Sequence, residues 1–250
     1  MRRIILCIFI LLSGAMLNAG GRRTPVITDS ELLFTLGDLK TEGITFRGSP
    51  QGFAIYGNTA VLIRDGGQVN VIDLKKKVLK AVYDTAVDNG HCNNAGFGKE
   101  KAYKNSLYPM LYVSECYGKR RCFVLNLEED GARVVQQIFY EDPDYKGPLD
   151  WAVDAKNGFI YAYGGPESGR FLKRFRLPRL SDSDAEGCIR FTAGDVLSTV
   201  TFTGVRIPQG SLVRGRYAYI PDGCPPEPTV LHIIDMTSGQ KLLEYSLSGF

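Results

Sequence analysis

The sequence predicts an all-β fold made of repeated four-stranded sheets, and three observations support this prediction. Beyond residue 20 the chain has no apolar stripe at helical spacing. Val, Ile, Tyr and Phe instead gather in short runs separated by Gly, Asn and Asp, a pattern typical of strands and tight turns. The segment PQGFAIYGN, which begins at Pro50, returns as PQGSLVRGR at Pro208. Two looser copies of the same strand order lie between these segments.

The first repeat, near residues 52–84, contains four predicted strands. Residues 52–56 and 59–63 are joined by a Gly-Asn turn, and RDGG then turns the chain again. Residues 68–73 alternate polar and apolar side chains, as a half-buried strand does. A lysine-rich turn then leads to the fourth strand, at residues 78–83.

The later repeats follow the same plan. In the last one, near residues 210–248, LHIIDM matches VNVIDL of the first repeat, and YIPDGC matches LIRDGG. The second repeat, near residues 95–141, contributes MLYVSE, CFVLNL and RVVQQIFY. The third, near residues 150–203, contributes WAVD, FIYAYG and FLKRFRL, and its outermost strand, DVLSTVTF, follows the polar insertion PRLSDSDAEG.

The spacing of the repeats predicts the architecture. Equivalent first strands start near Gly52, Gly96, Trp151 and Gly210. These starts lie roughly 40–60 residues apart, and about 40–50 residues per four-stranded unit is typical of a β-propeller. A β-sandwich also has many short strands, but the repeated strand order favours a propeller. We therefore predict a β-propeller with four visible four-stranded repeats.

With these repeats the chain resembles secreted bacterial β-propellers of the broad group that includes the YVTN-repeat, NHL-repeat and glutamine-cyclotransferase-like proteins. The resemblance rests on PQGFAIYGNTAVLIRDGGQVNVIDL and on PQGSLVRGRYAYIPDG with VLHIIDM, and as architecture it covers residues 30–250. Glutamine cyclotransferases also place Gln-Gly before an inner strand and have five blades. Their catalytic acidic residues have no match here, so the resemblance implies an architecture and no catalytic site.

The N-terminal part of the predicted domain suggests a further blade. ELLFTLGDL, residues 31–39, resembles DVLSTVTF, an outermost strand that leads into the next repeat. The inner strands of such a blade would follow Phe250. We therefore expect an incomplete five-bladed ring that is open between its first and last repeats. The alternative is a closed four-bladed ring in which residues 32–39 pair with residues 241–247.

The N-terminal segment, residues 1–19, has the pattern of a secretory signal peptide. MRR precedes the apolar run IILCIFILLSGAML, and Leu17 and Ala19 occupy the −3 and −1 positions of a cleavage site. The run is shorter than the roughly 20 residues of a membrane anchor, which is the alternative. We expect a secreted or periplasmic protein with a single domain, residues 20–250, and no stable membrane insertion after cleavage.

Charge, cysteines and motifs exclude several classes of function. The formal net charge is +3, of which Arg2 and Arg3 leave with the signal peptide, and the densest basic cluster, DLKKKVLK, is predicted to be a solvated turn. We expect no nucleic-acid partner. The chain has no C-x₂-C metal spacing and no glycine-rich phosphate loop, so we expect no metal and no cofactor. Cys116 and Cys122 flank the turn YGKRR, and we predict a disulfide across this hairpin.

The predicted ligand site is positional. Loops that enter the innermost strands line one mouth of a propeller channel, and here they supply amides, a carboxylate and an aromatic ring: Gln51, Asn93, Asn94, Asp150, Trp151 and Gln209. This set suits a polar small molecule, a glycan or a protein partner. Alternatively, Gln51 and Gln209 hydrogen-bond neighbouring blades and hold the ring together.

We expect a binding or scaffold module rather than an enzyme. The alternative is a hydrolase, lyase or cyclotransferase with its site at the channel mouth, which requires a carboxylate of raised pKa beside a polar partner. Asp150 is the candidate for that group. His91 and Cys92 are adjacent, so in an extended chain they point to opposite sides and form no catalytic pair. His232 alternates within VLHIID, and we expect a structural role for it.

Overall fold

The computed structural model describes residues 18–19, 22–23, 35–39, 44–85, 90–224 and 226–247. The predicted signal peptide, residues 1–19, lies outside the described residues except for its last two. Within the described ranges, helix is limited to four three-residue 3-10 turns. None of these is long or apolar enough to cross a membrane.

Four antiparallel sheets of four strands form the blades of a β-propeller, which confirms the predicted all-β class and the four repeats. A separate two-stranded ladder joins β1 (Asn18–Ala19) to β2 (Arg22–Arg23). Blade 1 contains β3 (Pro50–Tyr56), β4 (Thr59–Arg64), β5 (Val69–Asp73) and β6 (Val78–Tyr83). Blade 2 contains β7 (Cys92–Phe97), β8 (Leu111–Glu115), β9 (Cys122–Leu127) and β10 (Ala132–Tyr140). Blade 3 contains β11 (Asp150–Asp154), β12 (Phe159–Gly164), β13 (Arg170–Arg176) and β15 (Ser198–Phe202), and blade 4 contains β16 (Leu212–Arg214), β17 (Tyr217–Asp222), β18 (Val230–Asp235) and β19 (Lys241–Ser246).

The polar insertion of the third repeat adds a strand to the blade before it. This strand, β14 (Cys188–Phe191), lies between β13 and β15 in sequence but pairs in parallel with β10, with Gln137 opposite Cys188. Phe191 of β14 stacks on Phe175 of blade 3, with ring centroids 4.5 Å apart. The insertion therefore ties the outer parts of blades 2 and 3 together.

The core lies between consecutive blades. One apolar cluster includes Ile63 of blade 1 and Val113 of blade 2, a second lies between blades 2 and 3, and a third lies between blades 3 and 4. No apolar cluster of the described residues joins blade 4 to blade 1. The remaining faces of these two blades carry smaller clusters of their own, around Leu62 and Ile233 respectively. Each of the three blade interfaces thus buries apolar side chains of two sheets, which is the main stabilising term of such a fold.

The predicted outermost strand at residues 31–39 is wrong for the part that the structure describes. Leu36–Asp38 is a 3-10 turn, and Asp38 Oδ2 accepts hydrogen bonds from Thr35 N (2.7 Å) and Thr35 Oγ1 (2.9 Å). This local bonding competes with an extended ladder. Leu36 and Leu39 pack on blade 1, and among the described residues β19 pairs with β18 alone. The incomplete fifth blade stays a prediction.

Candidate functional site

The candidate site lies where the inner strands β3, β7, β11 and β16 begin. Consecutive blades have the same strand order, so these four N-terminal ends lie at one end of the ring, which we call the mouth. The chain enters the mouth through the loops before each inner strand. These loops and the first residues of the strands carry the six residues that the sequence analysis selected.

The two PQG segments are structurally equivalent. Pro50 pairs with Arg64, and Pro208 pairs with Asp222. The shift in residue number from Pro50 to Pro208 is the same as that from Arg64 to Asp222. Gln51 and Gln209 therefore occupy matching places beside the second strand of blades 1 and 4. Gln51 is partly buried, whereas Gln209 is exposed. The backbone N–H of Gln209 donates to Pro221 O (2.8 Å), which fixes the segment against its own blade.

Asn94 fills the centre of the mouth. Its Nδ2 donates to the carbonyl oxygens of Trp151 (2.9 Å) and Ser211 (2.6 Å), and so connects β7 of blade 2 to blades 3 and 4. Both PQG glycines pack against it. A Cβ atom at Gly52 would lie 2.6 Å from the carbonyl carbon of Asn94, and one at Gly210, whose φ is +86°, would lie 3.1 Å from Asn94 Oδ1. Only glycine fits such approaches.

Asn93 and Asp150 form a buried polar pair beside Asn94. Asn93 Nδ2 donates to Asp150 Oδ2 (2.8 Å), and the backbone N–H of Trp151 donates to Asp150 Oδ1 (3.0 Å). Burial raises the pKa of the Asp150 carboxyl, although hydrogen bonds from Ser114 and Asn93 oppose that shift. The structure thus places a carboxyl of raised pKa next to a polar partner, as an acid–base site requires.

Trp151 does not offer an aromatic platform at the mouth. Its side chain is buried in the cluster between blades 2 and 3, with its ring 6.4 Å from that of Phe175. Its Nε1 donates to Arg120 O (3.2 Å). Trp151 follows Asp150 in β11, and side chains alternate along a strand. The tryptophan is therefore a core residue of the site's supporting scaffold.

The exposed polar group at the mouth consists of His91, Asp65 and Tyr117. His91 Nδ1 contacts Asp65 Oδ1, and both side chains are partly exposed. The ring of Tyr117 lies edge-on to that of His91, with centroids 5.6 Å apart, and Tyr117 is 55% exposed. Because Asp65 occupies Nδ1, Nε2 is the ring nitrogen left for a ligand.

This group is not among the predicted site residues, because His91 stands out in the sequence only as the neighbour of Cys92. A usable signal was present, since His91 lies in the loop that supplies Asn93 and Asn94, and Asp65 lies in the RDGG turn that follows the second strand.

Two buried hydroxyls lie at the blade 3 and blade 4 side of the mouth. Tyr163 is the ladder partner of Asp150, and Ser211 directly precedes β16. Among the described residues neither Tyr163 OH nor Ser211 Oγ has a hydrogen-bond partner. A buried hydroxyl without a partner is costly, so these two groups favour a bound polar molecule or water nearby.

The cysteines of the described part are unbonded, Cys116 and Cys122 among them, contrary to the predicted disulfide. Cys122 lies opposite Ser114 in the ladder of β8 and β9. Cys116 lies two residues beyond Ser114, and such diagonal positions are about 7–8 Å apart, which is too far for a disulfide. Burial raises the pKa of the Cys92 thiol to about 12, and it also raises the pKa values of Cys116 and Cys122. None of the three is an activated nucleophile.

His232 has a structural place in blade 4. It is buried, and its Nε2 lies 3.0 Å from Asp222 Oδ2. Asp222 also accepts the backbone N–H groups of Arg206 (3.0 Å) and Ile207 (2.5 Å). The pair therefore fixes the loop that leads to the second PQG segment, in line with the structural role expected for His232.

One group of potential metal ligands occurs in the described part of the chain. The ligand atoms of Asp184, Glu186 and Cys188 lie within 4.8 Å of one another. However, Asp184 Oδ1 already accepts the backbone N–H groups of Glu186 (2.9 Å) and Cys188 (2.8 Å). The carboxylate closes a turn of the insertion next to β14, on the outer edge of blade 2, and the group is separate from the mouth.

The fold defines the chain as a β-propeller protein, and comparison with known proteins goes no further. No family model matches the chain, and no curated protein sequence matches it. Among solved structures, it is similar to hydrazine synthase of Kuenenia stuttgartiensis, at 12% identity over 77% of this chain and 52% of that one, with a TM-score of 0.47. It is also similar to a chain of the nidogen/laminin complex, at 12% identity over 87% and 67% of the two chains, with a TM-score of 0.45. A third similar structure is BamB of Moraxella catarrhalis, at 14% identity over 79% of this chain and 50% of that one, with a TM-score of 0.37.

The chain therefore spans about half the length of the hydrazine synthase and BamB chains that it matches. At these identities and TM-scores, the similarities carry no argument about an activity, a substrate or a partner.

Proposed function

We propose that the protein is an exported β-propeller that acts as a binding or scaffold module, with a polar ligand or protein partner held at the mouth. The observation that supports this best is the exposed group of His91, Asp65 and Tyr117, in which His91 is two residues from Asn93 of the buried Asn93–Asp150 pair. A few convergent polar groups beside an aromatic ring are typical of sites that bind polar ligands.

Each member of the exposed group has a distinct role in this proposal. Asp65 orients the imidazole of His91 and leaves Nε2 to donate or accept one hydrogen bond. Tyr117 offers a ring face and a hydroxyl, which suits the apolar face and the hydroxyl groups of a sugar, or the side chain of a peptide. The Asn93–Asp150 pair beneath holds the start of the inner strands β7 and β11 in place.

An enzyme that uses the same mouth is the second candidate, because His91 bonded to Asp65 has the arrangement of an oriented general base. Three observations favour binding over catalysis. Asp150 is buried and already accepts hydrogen bonds from Asn93, Trp151 and Ser114. The thiols of Cys92 and Cys116 have raised pKa values. The exposed group itself contains no Ser or Cys nucleophile.

The binding proposal is tested with a library of short oligosaccharides and peptides, screened by ligand-detected NMR against purified protein. A ligand of the mouth should lose about 5- to 30-fold in affinity on Tyr117→Ala or His91→Ala, since each removes a contact of roughly 1–2 kcal/mol. Tyr103→Ala is the matched control, because Tyr103 is as exposed as Tyr117 (57% against 55%) but lies on the opposite end of the ring. Equal losses for both tyrosines would contradict the proposal.

The enzyme alternative has its own readout in the same experiment. Conversion of a bound compound to a new product, lost in His91→Ala and kept in Tyr103→Ala, would replace the binding module with a catalyst. Export is tested separately by N-terminal sequencing of the protein recovered outside the cytoplasm, which should begin at Gly20.

A further inference from the structure

The end of the ring opposite the mouth carries an exposed aromatic and basic surface on blades 1 and 2. Adjacent strands of each blade are antiparallel, so the turns that join β3 to β4, β5 to β6, and β7 to β8 all lie at this end. The β7–β8 connection is the longest of the three and spans residues 98–110.

Hydrogen bonds close this connection at its base and at its tip. Gly98 N donates to Met110 O (2.9 Å), and Met110 N donates to Glu100 O (2.8 Å), which closes its base. At its tip, Ser106 N donates to Tyr103 O (3.0 Å), and Tyr103 N donates to Ser106 Oγ (3.0 Å). The tip presents Tyr103, 57% exposed, and Leu107, 49% exposed. A preformed loop loses little conformational entropy when it docks.

Further apolar side chains continue this surface at the ends of the inner strands. The ring of Tyr56 lies 5.7 Å from that of Phe97 and 6.4 Å from that of Tyr108. Tyr56 and the neighbouring Ile55 are both exposed. Exposed aromatic and aliphatic side chains that adjoin one another mark interaction sites more often than scattered ones do.

Exposed lysines surround the apolar side chains. They are Lys75, Lys76 and Lys77 of the β5–β6 turn, Lys80 of β6, and Lys99, Lys101 and Lys104 of the β7–β8 connection. Lys80 Nζ lies 3.5 Å from Tyr108 OH, which joins the basic and aromatic parts. Carboxylates also lie at this end: Asp73, Glu100 and the group Glu128, Glu129 and Asp130, which shares Arg133. The seven lysines outnumber these five carboxylates, so this end of blades 1 and 2 keeps a net positive charge. We call these lysines, with Ile55, Tyr56, Phe97, Tyr103, Leu107 and Tyr108, the lysine–tyrosine face.

We propose that the lysine–tyrosine face docks the protein reversibly on an anionic lipid bilayer. Lysines at a membrane surface are attracted to anionic headgroups, and tyrosines favour the headgroup level with apolar neighbours just below it. The exposed tip residues Tyr103 and Leu107 lie on either side of Lys104 at the apex of the loop. Leu107 can enter the interface there while the ammonium group of Lys104 stays at the headgroups. An acidic protein partner could also bury Leu107, so the test below includes an acidic polymer as a separate arm.

The proposal is tested by co-sedimentation of the protein with vesicles of phosphatidylglycerol and phosphatidylcholine at low salt. Vesicles of phosphatidylcholine alone are the reference. The triple variant Lys99→Gln, Lys101→Gln, Lys104→Gln should bind about 100-fold more weakly, and salt should weaken binding of the unmodified protein. Leu107→Ser should weaken binding roughly tenfold without changing the salt dependence.

A second triple variant, Arg47→Gln, Lys119→Gln, Lys146→Gln, removes the same charge from the loops at the mouth end and is the matched control. All these positions are exposed, so the variants should fold, which circular dichroism verifies. No binding to anionic vesicles at low salt, or equal losses for the two triple variants, would overturn the proposal. Binding to polyglutamate without binding to vesicles would also overturn it and indicate an acidic protein partner. His91→Ala should leave vesicle binding unchanged, so this test is independent of the mouth.

Discussion

Replacement of Asn94 by alanine tests whether one side chain at the ring axis holds three blades together. The change removes the hydrogen bonds that Asn94 Nδ2 donates to Trp151 O (2.9 Å) and Ser211 O (2.6 Å) at a buried position. It also removes the bond that Asn94 Oδ1 accepts from Ala95 N (3.0 Å). Each of the two buried carbonyls that lose their partner costs about 1–3 kcal/mol, so the free energy of unfolding should fall by about 2–6 kcal/mol. That is a large share of the roughly 5–15 kcal/mol that stabilises a typical domain.

Urea unfolding followed by tryptophan fluorescence measures this loss, because Trp151 is the only tryptophan and lies buried between blades 2 and 3. Asn126→Ala is the matched control. Asn126 is a buried asparagine of the same blade, but its Nδ2 donates only to Glu128 Oε1 (2.8 Å), two residues away. We expect a loss of about 1 kcal/mol for that variant. If Asn94→Ala cost no more than Asn126→Ala, the axial role of Asn94 would be refuted.

Three further predictions follow from the described contacts. Gly52→Ala should destabilise the fold by about 1–3 kcal/mol in urea unfolding, because the added Cβ would lie 2.6 Å from the backbone of β7. A Cβ at Gly66 would have no atom within 4 Å, so Gly66→Ala should be near neutral. In native protein at pH 8, iodoacetamide should alkylate Cys224, which is exposed, and should not alkylate Cys92, because burial raises its pKa to about 12. After unfolding in urea without reductant, mass spectrometry should find both cysteines alkylated. Burial opposes a low pKa of Asp222, but its hydrogen bonds with two backbone N–H groups and His232 lower the pKa overall. The ionised carboxylate therefore stabilises the folded state above the unfolded-state pKa, and this contribution is lost as the pH falls through the lowered folded-state pKa. Asp222→Asn should thus reduce the difference in unfolding free energy between pH 7 and acid.

The repeated strands could be predicted because their signals are local. Runs of β-branched and aromatic residues between glycine turns define each blade, and the PQG repeat indicated the correct equivalence of Gln51 and Gln209. The meeting of Asn93 with Asp150 also follows from position, since both begin inner strands. Strand order in a propeller therefore carries information about which loops converge.

Side-chain direction at the mouth could not be predicted, because register and bulges decide it. The ladders of β3 with β4 and of β7 with β8 both contain an irregularity at their mouth ends, next to Pro50 and Cys92 respectively. A shift of one residue moves every following side chain to the other face. The ladder of β11 with β12 is regular, so alternation alone turns Trp151 away from the face of Asp150 and into the core.

The pairing of strands that are distant in sequence also could not be predicted from local patterns. The insertion between β13 and β15 showed only its polarity in the sequence, yet β14 pairs in parallel with a strand of the preceding blade. The hairpin around YGKRR suggested facing cysteines, but the ladder places Cys122 opposite Ser114 instead. At residues 35–38, the side chain of Asp38 decides the conformation through its bonds to Thr35.

The most direct test of the mouth as the binding site uses the two histidines of the chain. His91 is partly exposed beside Tyr117, and His232 is buried against Asp222, so their imidazole NMR signals form a probe and an internal control. We predict that a polar ligand from the library shifts the His91 signal in a saturable way and leaves the His232 signal unchanged. A ligand that binds the protein without moving the His91 signal would contradict the account.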